Sequence, residues 1–398
     1  MKDFQVFTQP DIGDLSQFHI RLDDDSVIRS GRQGRPYLIK HMGCIRSDLP
    51  VFLEDKFRLH IGEGQFYHRG AWDWAQYGNK YAMLKENCHL TGEGRWTELI
   101  LQHPVLTTGG KKRPDAHMLS VGSDYVNADG ASVSDLSLIT SNAIQDDVLI
   151  TSGIRGYGSD IRIRNVHISG LRGSAKPVGD QNIAYEAFGI SFGHAGGHIV
   201  SDCRVSGENY FSAFSAGDIG TKFVDCKAVS DAGYAGFTVY NFTKVIDCSA
   251  GEFAYGVYND TNDAEDVQIE RSMLRVSRVG VGIVSVAPHC YKRNIRVRDC
   301  DFFHNGKEPW VGLELIDKTP DKSAEFQNFE FVGCGFTSTA PLTLFSTDAK
   351  AGSVRGIRFI DCMFQDNVKL RPNGNEIEII RPRRLNGMIR EEQIPQVL

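Results

Sequence analysis

A short sequence motif recurs along the second half of the chain. It reads KFVDCKA at residues 222–228, KVIDCSA at 244–250 and RFIDCMF at 358–364. In each copy a charged residue and two apolar residues precede an aspartate and a cysteine. Such short apolar stretches beside a turn-forming aspartate are typical of a strand that ends at a tight corner. The motif therefore predicts one strand and one corner of a repeating coil.

The cysteine position of this motif can be followed through most of the chain. Its occupants are Leu136, Val166, Cys203, Cys226, Cys248, Ser272, Cys300, Cys334 and Cys362. The successive intervals are 30, 37, 23, 22, 24, 28, 34 and 28 residues. A near-constant minimum interval with insertions of variable length is typical of a solenoid that carries loops on some of its turns.

Three short strands fit into one turn of the repeat. In the clearest turn, residues 236–240 alternate as a first strand, Val245-Ile246 open a second, and Ser249-Ala250 lead into a third. No amphipathic helical pattern of useful length interrupts the region, which argues against alternating strands and helices. The sequence therefore predicts an all-β fold, a right-handed parallel β-helix with three short strands per turn and capped ends.

This order of strand, short corner with a stacked residue, strand and loop-rich third side resembles the pectate-lyase-like superfamily of right-handed β-helices. The resemblance is architectural and covers roughly residues 120–370. The corner ladder of that superfamily is commonly asparagine, whereas cysteine mostly takes the position here. Free cysteine commonly behaves as a small buried hydrophobe, and no CxxC or Cys/His cluster of ligand spacing occurs. We therefore expect an internal stack of thiols, and we expect the corner aspartates to serve the turns.

The ends of a solenoid need caps because open strand edges pair with other chains. We expect an N-terminal cap at residues 1–56, the parallel β-helix at 57–370, and a C-terminal cap or assembly segment at 371–398.

Charge and hydropathy exclude two classes of partner. The formal net charge of the 398 residues is −6, and the Lys and Arg residues are scattered, so no nucleic-acid footprint is expected. No run of about 18 apolar residues predicts a membrane span, and the first residues carry no secretion signal pattern. A cytoplasmic protein, a virion protein and a secreted protein whose signal has been removed all fit this sequence.

The first strand of each turn predicts a functional surface. Alternate residues of a strand point outward, and equivalent residues of successive turns stack about 4.8 Å apart. The predicted outward row is Ser191, Phe214, Thr238, Tyr258, Val284, Glu314 and Phe345. The next positions and loops add His194, Asp218, Tyr240, Asn241, Asn259, Asp260, Asp263 and Asp317. Rings beside carboxylates on an elongated surface suit a poly- or oligosaccharide, because rings pack on sugar faces and acids bind hydroxyls or transfer protons.

Catalytic candidates follow from the spacing of carboxylates. Asp218 and Asp260 belong to turns two apart, which predicts a backbone separation of roughly 9 to 10 Å. Their carboxyl groups could then reach the separation of roughly 6.5 to 9.5 Å that an inverting glycosidase uses. Glu314 and Glu186 are the alternative acids. A structural interpretation of Asp218, as a cap of backbone amides in its turn, stays open.

The predicted substrate-binding residues surround that pair. Tyr240 and Tyr258 would flank the sugar, and the full set is Tyr240, Tyr258, Phe214, His194, Asn241 and Glu186. No cofactor is expected. A Ca²⁺ ion near Asp260, Asp263 and Asp266 is the weaker alternative, because this acidic segment lacks the glycine and the terminal glutamate of an EF-hand loop.

Several functions remain open at this point. A polysaccharide lyase or epimerase needs cations beside the substrate carboxylate, and the predicted row contains no Lys or Arg. Hydrolysis or glycosyl transfer on a neutral or modestly charged glycan is therefore favoured. A homotrimeric tailspike-like glycan-binding fibre is an alternative without catalysis. An enzyme for a small molecule, with its pocket closed by the loop at residues 170–187, is another.

Overall fold

A computed structural model of the chain divides into two compact units, Met1–Phe211 and Ser212–Leu398. The residues that the structure describes are 18–21, 27–30, 37–39, 58–61, 64–68, 84, 86–101, 116–122, 127–140, 150–172, 187–193, 195–208, 211–260, 263–287, 291–304, 306–338, 340–365, 368–371, 377–384 and 387–388.

The first unit is a stack of mostly parallel strands. They are Phe18–Arg21, Val27–Ser30, Tyr37–Ile39, Arg58–Ile61, Gly64–His68, His89–Thr91, Thr97–Leu101, Ala116–Val121, Ser132–Thr140, Ile150–Gly156, Arg162–Arg172, Phe188–Phe192, Ile199–Ser201 and Arg204–Glu208. A single turn of 3₁₀-helix, Gly94–Trp96, interrupts the described strands. The strand Phe18–Arg21 pairs antiparallel with Val27–Ser30 and with Arg58–Ile61, and the strands that follow pair in parallel.

The second unit repeats a coil of three strands. Its strands are Ser212–Ser215, Lys222–Val224, Lys227–Thr238, Lys244–Ile246, Ser249–Asn259, Ala264–Glu265, Gln268–Glu270, Met273–Ser285, Lys292–Arg298, Asp301–His304, Trp310–Asp317, Phe326–Val332, Gly335–Ser338, Leu342–Thr347, Val354–Ile360, Met363–Phe364, Val368–Arg371, Ile377–Ile380, Arg383–Arg384 and Gly387–Met388. The long strands, such as Ser249–Asn259, run through two sheets in succession. Parallel pairing links equivalent strands of successive coils into three sheets.

Both units therefore have the architecture of a parallel β-helix, and the predicted fold is confirmed. The crossover that joins parallel strands is right-handed in nearly all proteins, and the right-handed β-helix obeys this rule. No helix in the described part of the chain is long and apolar enough to cross a membrane.

Each coil turns at two residues with positive φ that are five positions apart. In one coil these residues are Phe242, with φ 56°, and Asp247, with φ 54°. The equivalent pairs in the second unit are Gly220 and Asp225, Asp266 and Arg271, Asn294 and Asp299, Asn328 and Gly333, and Gly356 and Asp361. Gly, Asn and Asp adopt this left-handed conformation more readily than other residues. The recurring corner aspartates therefore serve the turns, as expected, whereas the first corner of each coil was not predicted.

The cysteines line the interior of the second unit behind the second corner. Cys226, Cys248 and Cys300 are buried, with at most 2% of their surface exposed. The backbone N–H of Cys226 donates to Sγ of Cys248 at 3.4 Å, and the N–H of Ser272 donates to Sγ of Cys300 at 3.5 Å. Burial raises the pKa of the Cys248 thiol. The predicted internal stack of thiols is confirmed.

The parallel stack continues beyond the predicted end of the solenoid. Ile377–Ile380 pairs in parallel with Val354–Ile360, and Arg383–Arg384 pairs in parallel with Met363–Phe364. The parallel pairing thus extends past residue 370. The N-terminal cap, the central β-helix and the C-terminal cap or assembly segment stay predictions.

Candidate functional site

Two rows of equivalent residues cross the sheet that Ser212–Ser215, Trp310–Asp317, Leu342–Thr347 and the C-terminal parts of the long strands between them form. We call this surface the two-row face. The first row is Ser212, Ala235, Tyr255, Val279, Val311 and Thr343. The second row, three residues later in each strand, is Ser215, Thr238, Tyr258, Gly282, Glu314 and Ser346. Side chains of the two rows meet, since Oγ1 of Thr238 donates to Oγ of Ser212 at 3.0 Å.

The structure corrects part of the predicted outward row. Six of its seven residues have at most 6% of their surface exposed: Ser191, Phe214, Thr238, Tyr258, Val284 and Phe345. Phe214 packs flat on Phe237 in the core, with ring centroids 5.3 Å apart. The prediction that Phe214 binds substrate is therefore wrong. Because inward and outward positions alternate along a strand, an error of one residue in register moves a side chain to the opposite face.

Three tyrosines form a compact cluster on the two-row face. The ring centroids of Tyr255 and Tyr258 lie 5.0 Å apart, and Tyr234 lies 5.0 Å from Tyr255 and 5.1 Å from Tyr258. Only 2% of Tyr255 and 6% of Tyr258 is exposed, whereas Tyr234 is partly exposed. The guanidinium carbon of Arg278 lies 5.7 Å from the Tyr255 ring centroid. The cluster therefore offers one accessible ring above two buried ones.

A glycine makes room for this cluster. A Cβ atom at Gly282 would lie 2.5 Å from both Cδ1 and Cε1 of Tyr255. The Tyr255 ring consequently lies across the second row, between the coil of Tyr258 and the coil of Glu314. From there its hydroxyl donates to Oε2 of Glu314 at 3.1 Å.

Two carboxylates contribute to raised pKa values in the tyrosine cluster. Burial, and then the negative charge of Glu314, raises the pKa of Tyr255. Burial is also the largest cause of the raised pKa of Tyr258, followed by its hydrogen bond with Tyr234, and the charge of Asp260 adds to it. Asp260 itself accepts a hydrogen bond from the hydroxyl of Tyr240 at 3.3 Å. The tyrosine hydroxyls therefore remain neutral donors beside Glu314 and Asp260.

The remaining predicted residues of the second unit lie beside this cluster. Asp218 and Asp260 follow Ser215 and Tyr258, whose strands are two coils apart in the register. Asp218 is partly exposed, and the separation of the two carboxyl groups stays a prediction. Oδ1 of Asn241 accepts the backbone N–H of Glu265 at 3.0 Å, so this amide fixes the turn.

Two acidic residues of the calcium candidate contact the backbone or form a corner, and a Ca²⁺ ion near Asp260, Asp263 and Asp266 stays a prediction. Oδ1 of Asp263 accepts the backbone N–H of Tyr291 at 2.7 Å, and Asp266 occupies a corner with φ 53°. Among the described residues, no three His, Cys, Asp or Glu side chains form a group that could hold a metal ion. His194, Glu186 and most of the loop at residues 170–187 lie outside the described residues.

Sequence reasoning missed Tyr234, Tyr255 and Arg278. Tyr255 lies three residues before Tyr258 in the stretch YGVY, and this spacing matches the distance between the two rows. The signal was therefore present, but a simple two-residue alternation does not reveal it.

The fold resembles that of solved carbohydrate-binding proteins. A mutant tailspike protein of E. coli bacteriophage HK620, in complex with a pentasaccharide, matches with 11% identity and a TM-score of 0.50, over 83% of this chain and 68% of that chain. The same tailspike in complex with a hexasaccharide matches with 12% identity and a TM-score of 0.49, over 82% of this chain. The catalytic domain of a GH87 α-1,3-glucanase with tetrasaccharides matches with 15% identity and a TM-score of 0.49, over 85% of this chain.

At this level of identity the matches show the fold alone. The chain spans 62% of the length of the hexasaccharide-bound tailspike and 62% of the glucanase domain. No protein-family model matches the sequence, and no curated protein does. The chain has the fold of the right-handed parallel β-helix proteins, as the resemblance to the pectate-lyase-like superfamily implied.

Proposed function

We propose that the second unit binds a poly- or oligosaccharide across the two-row face and cleaves or transfers a glycosidic bond there, with Glu314 and Asp260 as the acid and base. The observation that carries this proposal is a pair of hydrogen bonds. Glu314 accepts one from the hydroxyl of Tyr255, and Asp260 accepts one from the hydroxyl of Tyr240. The tailspike that shares the fold supports a saccharide ligand, since it was solved with a pentasaccharide.

The division between exposed and buried rings suits a sugar site. Tyr234 and Tyr240 are partly exposed, so their rings can pack against the apolar face of a sugar. Tyr255 and Tyr258 are buried, and the hydroxyl of Tyr255 donates to Glu314. A rigid tyrosine hydroxyl restricts the rotamers of Glu314, and such support from neighbouring side chains keeps a catalytic group in position.

We expect the carboxyl groups of Glu314 and Asp260 to come within the range that glycosidase chemistry uses. Glu314 lies two coils from Tyr258 in the second row, which corresponds to a backbone separation of roughly 10 Å, and Asp260 follows Tyr258 by two residues. An inverting enzyme separates its two carboxyl groups by roughly 6.5 to 9.5 Å so that water fits beside the sugar. One carboxyl would protonate the leaving oxygen while the other activates that water.

A lyase is the second candidate, and Arg278 is the observation that favours it. This exposed arginine lies over Tyr255, at the edge of the row that was expected to contain no cation. A cation at this place could neutralise the carboxylate of a uronic acid during proton abstraction. The two reactions leave different products, because a lyase creates an unsaturated sugar.

One assay tests both candidates. Reducing ends and the ultraviolet absorbance of unsaturated uronates are measured on a panel of polysaccharides with the wild type, Glu314→Gln, Asp260→Asn and Asp218→Asn. Removal of a general acid or base typically costs about a hundredfold or more in rate. We expect that loss for Glu314→Gln and Asp260→Asn, and a matched control, Glu325→Gln, should retain full activity because Glu325 is exposed outside the two-row face.

Each outcome has a defined meaning. Reducing ends without new absorbance, lost in both variants, support hydrolysis by this pair. New absorbance supports the lyase. Full activity of Glu314→Gln, with loss only in Asp218→Asn, would overturn the assignment of Glu314. Binding without cleavage across the panel would leave the glycan-binding fibre as the function.

A further inference from the structure

Arg155 lies in the first unit, on the sheet formed by Ala116–Val121, Ile150–Gly156 and Phe188–Phe192. Arg155 pairs in register with Ser120 on one side and Ser191 on the other. It is partly buried, and among the described residues no carboxylate forms an ion pair with it. A partly exposed guanidinium with no carboxylate partner among the described residues can bind an anion from outside the protein.

The guanidinium of Arg155 lies beside an aromatic ring and a glycine. Its carbon lies 5.1 Å from the ring centroid of Tyr157. A Cβ atom on Gly193, in the next coil, would lie 2.5 Å from Cε1 of Tyr157 and 3.3 Å from a terminal nitrogen of Arg155. The absence of a side chain at Gly193 therefore allows the ring and the guanidinium to lie over the backbone of that coil.

The neighbours of Arg155 in the described rows of this face carry no charge. His117 lies one coil away, in register with Ser152. Burial, and then the charge of Arg155, lowers the pKa of His117 to about 3, so this imidazole is neutral at physiological pH. The nearby hydroxyls of Ser152 and Ser191 are hydrogen-bonded to each other at 3.0 Å. Neither an acid nor a second cation faces Arg155 from the described rows.

We propose that Arg155 and Tyr157 form a binding site in the first unit for a sugar residue that carries a carboxylate. The planar guanidinium matches a carboxylate with two parallel hydrogen bonds, and the Tyr157 ring can pack on the adjoining sugar face. That the carboxylate belongs to a saccharide rests on the proposed function, whereas the anion site itself rests on Arg155 alone. The proposed ligand is thus a glycan with acidic sugar residues, whereas the predicted outward row favoured a neutral or modestly charged glycan.

Calorimetric binding tests this site with defined probes. The probes are oligosaccharides of glucuronate, the same oligosaccharides with the carboxyl groups reduced to alcohols, and acetate. We expect Arg155→Gln to weaken glucuronate binding about tenfold or more and Arg155→Lys to weaken it less, because lysine keeps the charge but not the planar fork. Arg162→Gln is the matched control, because Arg162 is an exposed arginine of the same unit.

The outcomes separate this site from the cleavage site. Binding that needs both Arg155 and the carboxyl groups, and that persists in Glu314→Gln, supports the proposal even if no glycan is cleaved. Equal affinity for the reduced oligosaccharides, equal affinity for acetate, or unchanged binding by Arg155→Gln would overturn it. Circular dichroism of each variant confirms that the fold is intact.

Discussion

The hydroxyl of Tyr255 illustrates how the site depends on single residues. It reaches Glu314 because position 282 is glycine, and it stays protonated because the ring is buried beside a negative charge. Tyr255 thus donates a hydrogen bond to Glu314 while almost none of its own surface is exposed to a ligand. We regard it as a positioning residue.

Replacement of this hydroxyl should impair turnover more than binding. Tyr255→Phe removes a hydrogen bond to a charged group, which is worth about 1.5 to 3 kcal/mol, and we expect kcat to fall roughly tenfold to a hundredfold. KM should change little, because only 2% of Tyr255 is exposed to a ligand. Steady-state kinetics with Tyr291→Phe as the control will separate the two parameters. A rise in KM with unchanged kcat would instead indicate direct substrate contact.

The buried tyrosines also predict a pH dependence of stability. The pKa of Tyr255 and the pKa of Tyr258 are raised in the folded protein, so the unfolded chain loses these protons first, near the ordinary value of about 10. Their contribution to the free energy of unfolding is complete below about pH 10 and declines as the pH rises further. Denaturant unfolding of the wild type and of Tyr258→Phe across this range should show a weaker decline in the variant. Parallel curves would contradict the burial effect.

For single residues, the residue type at a repeat position was more predictable than the side of the sheet that a side chain faces. The buried thiols could be predicted because one residue type recurs at one position of the repeat. The inward direction of Phe214 could not, because an aromatic side chain suits both the core and a sugar-binding face. Tyr258 and Glu314 were placed in the correct row, whereas the role of Tyr255 depends on a glycine in another coil.

At the scale of the coil, the corners and a row of glycines set the packing. A Cβ atom on Gly256, Gly280 or Gly312 would lie 2.7 to 2.9 Å from the carbonyl oxygen of the next coil. The backbones of successive coils are therefore too close for a side chain there. The second corner was predictable from the repeated Asp-Cys pair, but the first corner accepts residues as different as Gly220, Phe242 and Asp266 and carries no such signal.

A single added methyl group tests this packing. In Gly280→Ala the new Cβ would lie 2.7 Å from the carbonyl oxygen of Gly312 and 2.9 Å from Cδ1 of Phe302, so the coil must shift. We expect the free energy of unfolding to fall by about 1 to 3 kcal/mol, the usual cost of overpacking. Gly251→Ala is the control, because its nearest neighbour is 4.0 Å away. Equal stability of the two variants in denaturant melts would contradict the predicted crowding.

At the scale of the whole molecule, assembly distinguishes an enzyme from a fibre. The homotrimer stays a prediction that belongs to the tailspike-like alternative. The fibre predicts a detergent-resistant trimer with a mass of three times 44.2 kDa, whereas the proposed cleavage at the two-row face uses residues of one chain. Sedimentation and unheated gel electrophoresis measure this directly. A monomer by both methods would contradict the fibre.

The central claim is that a saccharide lies on the two-row face between Glu314 and Asp260. It is tested most directly by a crystal structure of Glu314→Gln soaked with the oligosaccharide that the wild type binds or cleaves. We expect a sugar ring against Tyr234 or Tyr240, with its glycosidic oxygen near one carboxyl position. A sugar bound on another sheet, with the two-row face empty, would contradict the account.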